Sequence, residues 1–200
     1  MFKYIIILFF VCGTISSSYA QKNDYVWLLG GNSRNIFGLG YQWGTMIADF
    51  NEEVIRFTYD SLVTMDFGGT NISLSDNDGH LLMYSNGMGV HGKSHTPISG
   101  LDTIGHGNYW ERFNRKNYLP DGSDWPGGLP INQSIFIVPA IDQKHYLIYY
   151  PRHTLEIENN LEVIKTSALL EAKVQKDISG LPDNTLYKDK IIQNGTFKRN

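Results

Sequence analysis

Short apolar runs broken by glycine, aspartate and asparagine recur from residue 25 to about residue 150, and their spacing is that of strands. Tyr25–Leu29 is an aromatic and aliphatic run stopped by Gly30-Gly31. Thr45–Phe50 and Val54–Tyr59 bracket a polar Asn51-Glu52-Glu53 turn. In the second of these, Val54, Arg56 and Thr58 fall on one side of a pleated strand and Ile55, Phe57 and Tyr59 on the other. Asn71–Ser75 and Leu81–Ser85 flank Asp76-Asn77-Asp78-Gly79, and an Asp-Gly pair between apolar runs predicts a hairpin. Ser134–Val138 and Tyr146–Tyr150 form a further pair around Asp142-Gln143-Lys144. Helix is scarce: Ser167–Val174 has good helix formers and a capping serine, but reads equally as strand followed by loop. The expected class is therefore all-β, an array of antiparallel hairpins.

Two segments depart from this pattern. The first twenty residues place Lys3 before the apolar run Ile5–Val11, then Ser16-Ser17-Ser18-Tyr19-Ala20 before polar Gln21–Asp24. A basic start, a short apolar core and a small-x-small exit make a secretory signal peptide over residues 1–20, cut after Ala20. Its core is shorter than the ~20 apolar residues a membrane span needs. The expected destination is the outside of the cell or its outer surface. The second is the stretch of about 99–131, which has little strand character and is rich in aromatic side chains, an unusual length for a loop inside a compact domain.

Cysteine and charge narrow the chemistry. The single cysteine, Cys12, lies within the signal segment and follows Val11 rather than a small residue, which disfavours lipid attachment. The exported remainder, residues 21–200, has no thiol, so disulfides, cysteine nucleophiles and thiolate metal sites are excluded. Without Lys3 it carries 16 Lys and Arg against 20 Asp and Glu, a net charge of −4. No basic stripe favours nucleic acid, and no later apolar run reaches membrane-spanning length.

The segment Ser75-Asp76-Asn77-Asp78-Gly79-His80-Leu81-Leu82-Met83-Tyr84-Ser85-Asn86-Gly87 resembles a recurrent motif of secreted Bacteroidetes proteins, Ser-Asp-x-x-Gly-x-Leu-Leu-Phe-Tyr-Thr-x-Gly. Met83 and Ser85 depart from it. Tyr25–Gly30, Val90, His91, His95 and Gly100, Gly128–Gln133, Ile137–Pro139 and His145–Ile148 extend the likeness over most of residues 25–150. Those proteins carry an N-terminal β-propeller-like region, often followed by adhesion-type modules and a type IX secretion sorting domain. The resemblance implies the first blades of a β-propeller-like domain over residues 21–200. The family runs on through more blades, so an incomplete domain is expected, with a truncated product lacking independent function as one outcome. It says nothing about chemistry, since one fold hosts many functions.

Candidate chemistry is sparse. Asp76-Asn77-Asp78-Gly79 offers clustered oxygens for calcium, but the twelfth position of such a loop falls on Gly87, so a hairpin turn is the better reading. His91 and His95 would face one metal on a helix, yet their segment reads as strand and turn beside Gly89 and Gly92. No nucleophile elbow, zinc helix or phosphate loop is present. No cofactor or metal is expected. Within the long loop, Tyr109, Trp110, Tyr118 and Trp125 lie near Glu111, Asp121 and Asp124. Flat aromatic faces beside carboxylates hold sugar rings or protein surfaces; the same rings would also serve as a packed lid on the sheet. The sequence thus points to a secreted, non-enzymatic binding or adhesion protein for an extracellular glycan or surface protein. The alternative is a glycan-active enzyme using the loop carboxylates.

Overall fold

The computed structural model describes residues 24–30, 45–63, 65, 67, 69–113, 128, 129, 131 and 134–197. The first twenty residues, and Tyr118, Asp121, Asp124 and Trp125 of the long loop, lie outside them. Three antiparallel sheets account for most of the described chain, and each is a meander of strands consecutive in sequence. The first joins β1 (Val26–Leu29), β2 (Thr45–Asp49) and β3 (Arg56–Asp60). The second joins β4 (Ile72–Ser75), β5 (Leu81–Ser85) and β6 (Val90–Gly92). The third joins β7 (Phe136–Pro139), β8 (His145–Glu158), β9 (Leu161–Lys176) and β10 (Pro182–Phe197). The all-β class holds, and the hairpins pair in the expected order.

The second sheet lies between the other two. Leu82, Met83, Tyr84 and Ser85 of β5 are all buried, as a strand covered on both faces requires. Leu74, Leu82, Met83 and Val90 pack with Ile137, Ile148, Leu170 and Val174 of the third sheet in the largest core. Tyr84 packs instead with Leu28, Val63, Met65 and Phe67 toward the first sheet. Side chains of β4 and of the residue before it also close the neighbouring edge of β1. Asn71 Nδ2 donates to the Leu28 carbonyl, and Ser73 Oγ donates to the Val26 carbonyl at 2.5 Å.

Two expectations are settled in detail. Ser167–Val174 is strand, inside β9, where Ala168, Leu170, Ala172 and Val174 are buried at every second position. Pairing with β8 on one side and β10 on the other overrides the local helix preference of those residues. In β3 the predicted alternation is kept, but both of its sides are largely exposed, with Phe57 at 58% and Tyr59 at 57%. The long stretch after β6 holds a short helix, α1 (Asn108–Phe113), which no sequence signal had marked. It is clamped by Asn108, whose amide donates to the Leu155 carbonyl at 2.9 Å and accepts the Leu155 N–H at 3.0 Å.

Candidate functional site

The aromatic loop expected to meet a ligand is divided where it is described. Tyr109 and Trp110 are buried, at 1% and 9% exposure, in a cluster with Met88 and Leu129. Trp110 Nε1 donates to the Met88 carbonyl at 3.1 Å, so the indole's polar atom is occupied as well. Both rings pack into the chain's own core. Glu111 points outward and pairs with His106.

The histidine pair His91 and His95 sits on β6 and the turn after it. Their rings flank Tyr84, with centroids 5.6 and 5.8 Å away. His95 Nε2 lies 3.1 Å from the Asp60 carboxylate and Nδ1 lies 3.0 Å from the Tyr84 hydroxyl. This chain of contacts ties β3 to β5, and burial holds the His91 pKa below its usual value.

The better candidate is a cleft of about 440 Å³ where the second and third sheets present their hairpin ends. Three turns of one design form its rim. In Asp76–Gly79, Gly79 N–H donates to the Asp76 carbonyl at 3.0 Å and Gly79 has φ +91°. In Asp177–Gly180, Gly180 N–H donates to the Asp177 carbonyl at 3.0 Å, with φ +80°. In Ala140–Gln143, Gln143 N–H donates to the Ala140 carbonyl at 2.9 Å, with φ +56°. Each is a four-residue turn whose last residue is left-handed, the form in which glycine or an amide side chain is favoured. The leading aspartates brace their turns from within. Asp76 Oδ1 accepts the Asp78 and His80 N–H groups at 2.9 and 2.8 Å, and Asp177 Oδ1 accepts those of Ser179 and Leu181 at 2.7 and 2.9 Å.

Beneath the rim lies Tyr146, 3% exposed, whose hydroxyl donates to the Gly180 carbonyl at 2.9 Å. Burial, with Asp76 and Asp177 nearby, pushes its pKa up to about 12, so the phenol stays protonated. The Lys176 ammonium stands 4.3 Å from the centre of that ring. Burial lowers the Lys176 pKa, and the charge of Asp142 works against the shift. A cation held over a ring and partly stripped of water gains from any oxygen that approaches it. Ser75, 1% exposed, lines the same cleft, and among the described residues its Oγ has no hydrogen-bond partner.

Asp76, Asp78 and His80 bring ligand-type atoms within 4.8 Å of one another at the rim. Asp76 is already engaged by its turn, so the hairpin accounts for that grouping. The Asp76 turn and the Gln143 turn were legible in the sequence as hairpins, though not as parts of a site. Lys176 and Ser179-Gly180 were missed altogether. Asp-x-x-Gly recurs at Asp177–Gly180, but it also occurs at Asp66–Gly69, Asp102–Gly105 and Asp124–Gly127, so the pattern alone does not single out the third turn. Comparison with protein-family models, curated proteins and solved structures finds no match to this chain.

Proposed function

We propose that the chain is an exported, non-enzymatic binding protein that holds one unit of an extracellular glycan in the cleft between its hairpin ends. Export rests on the N-terminal segment, with Lys3, the Ile5–Val11 core and the Ser18-x-Ala20 exit. A β-propeller-like domain is the architecture we infer, supported by the motif at Ser75–Gly87 and by sheets built as meanders in sequence order.

The observation that carries the binding reading is the mixed lining of the cleft. An acceptor (the Asp78 carboxylate) and donors (the Lys176 ammonium and the Gln143 amide) line one space of ligand size. Neighbouring hydroxyls on a sugar satisfy such a lining, because each both donates and accepts a hydrogen bond. An apolar or singly charged ligand would leave half of it unpaired.

Titration calorimetry of the chain against a panel of soluble glycans tests this. The expected result is binding of at least one glycan, weakened roughly tenfold or more by Lys176→Met, as loss of a hydrogen bond to a charged group predicts. The β-type circular dichroism spectrum should be unchanged. Absence of glycan binding, or binding that Lys176→Met and Gln143→Ala leave intact, would sink the proposal. Turnover of a glycan, lost on replacing Glu111, Asp121 and Asp124, would replace it with the enzymatic alternative.

A further inference from the structure

The free edges of the three sheets are not alike. The edge of β1 is closed by Asn71 and Ser73. The edge of β6 is occupied by the chain that follows it, through Gly92 N–H to the Thr96 carbonyl at 3.0 Å and Ile98 N–H to the Val90 carbonyl at 3.0 Å. In β7 the edge carries Pro139, and β10 is broken by five register shifts and bears Lys188 and Lys190. Proline, lysine, bulges and covering segments are the devices by which sheets avoid pairing with other chains. The edge of β3 has none of them at its centre, Phe57-Thr58-Tyr59, and no described strand pairs with it on the side away from β2.

The sequence of β3, Arg56-Phe57-Thr58-Tyr59-Asp60, is complementary to its own reverse. Laid antiparallel on a second β3 about Thr58, it sets Arg56 opposite the second copy's Asp60, and Phe57 opposite its Tyr59. Opposed residues share a face, so the charged pairs lie on one side and the aromatic pairs on the other. We propose that two copies of this chain associate through β3, antiparallel across a twofold axis at Thr58, joining two three-stranded sheets into one of six strands. The symmetry is closed, and each contact is made twice.

The contacts of Arg56 and Asp60 leave room for the new charge pairs. Among the described residues Arg56 is held by Glu52, in a pair exposed on both sides that exchanges readily. Asp60 accepts the Leu62 N–H at 2.8 Å and meets His95, and a carboxylate has about four acceptor positions. On the outer face the row Trp27, Ala48, Phe57 would continue into the partner's Tyr59 and Met46. Trp27, Met46, Phe57 and Tyr59 are each 45–58% exposed in the single chain. Pairing would shield the two aromatic residues of β3.

Sedimentation and cysteine crosslinking test the proposal. In a Cys12→Ser background, Thr58→Cys brings two thiols together at the axis, since opposed Cα atoms lie about 4.5–5.5 Å apart, within disulfide range. The expected results are a dimeric mass for the unmodified chain and an oxidised dimer with Thr58→Cys. Val54→Cys, four residues from the axis, should not crosslink. Thr58→Lys, which sets like charges face to face, should halve the mass without changing the β-type spectrum. A monomer up to millimolar protein, or a dimer that Thr58→Lys spares and Thr58→Cys fails to lock, overturns it.

Discussion

Burial gives His153 a part in stability that its place in the sequence does not disclose. Its ring is 6% exposed, edge-on to Tyr109 at 5.5 Å, and Nδ1 lies 3.2 Å from the Thr166 hydroxyl. The pKa is pushed down to about 4 from an ordinary 6.5, because charging the ring inside the protein forfeits its hydration. Between those values the unfolded chain binds the proton and the folded chain does not. The stabilisation is complete above the unfolded pKa and is lost as the pH falls toward the folded one. From about pH 7 to about pH 5 this group should cost about 2 kcal/mol, read as a falling urea midpoint. His153→Gln should flatten that part of the profile; an unchanged slope would assign the acid sensitivity elsewhere. Tyr150 is a buried polar group of the opposite kind, fully satisfied. Its hydroxyl donates to Asp189 Oδ1 at 3.1 Å and accepts the Asp189 N–H at 2.8 Å. No spacing in the sequence connects two residues 39 positions apart, so only the folded chain shows the pair.

Among the elements, turns were the most legible and long strands the least. Asp76–Gly79 was readable because an Asp-Gly pair dictates a local backbone conformation whatever surrounds it. Gly79 and Gly180 occupy equivalent turn positions in different surroundings. A methyl group on Gly79 would lie 1.8 Å from the Asn51 side chain, whose amide donates to the Gly79 carbonyl at 2.9 Å. One on Gly180 would meet nothing within 4 Å. Gly180→Ala should therefore cost only the left-handed backbone penalty, about 1–2 kcal/mol. Gly79→Ala should cost more by at least about 1 kcal/mol, because it also displaces Asn51 and loosens the first sheet from the second. Equal losses in urea unfolding would show that Asn51 is not a tie between sheets. The β8–β9 hairpin turns on Asn159-Asn160, both left-handed at φ +51° and +63°, as a two-residue hairpin requires. Its long strands were hidden in the sequence because β9 contains residues that favour helix when no partner strand is present.

At the scale of the whole molecule, the sheets share their cores, which makes separate unfolding unfavourable. Leu170, fully buried, packs in the cluster that joins the second and third sheets, and Tyr84 extends the contact to the first. Leu170→Ala should destabilise by about 2–5 kcal/mol. Variants retaining only Trp27 or only Trp110 should report the same lowered midpoint by fluorescence, as one cooperative unit demands. Separate midpoints would mean that the first sheet folds on its own. The sequence by itself determined the all-β class, the order of most hairpins and the places of two of the three cleft turns. Those follow from period-two alternation and from backbone preferences that act within a few residues. Tertiary structure decided which sides of the strands were covered: it sank Tyr109 and Trp110 into a core, left Phe57 and Tyr59 outside, and drew Ser75, Tyr146 and Lys176 into one cleft. Burial depends on which surfaces meet, and residues distant along the chain meet only when the sheets stack.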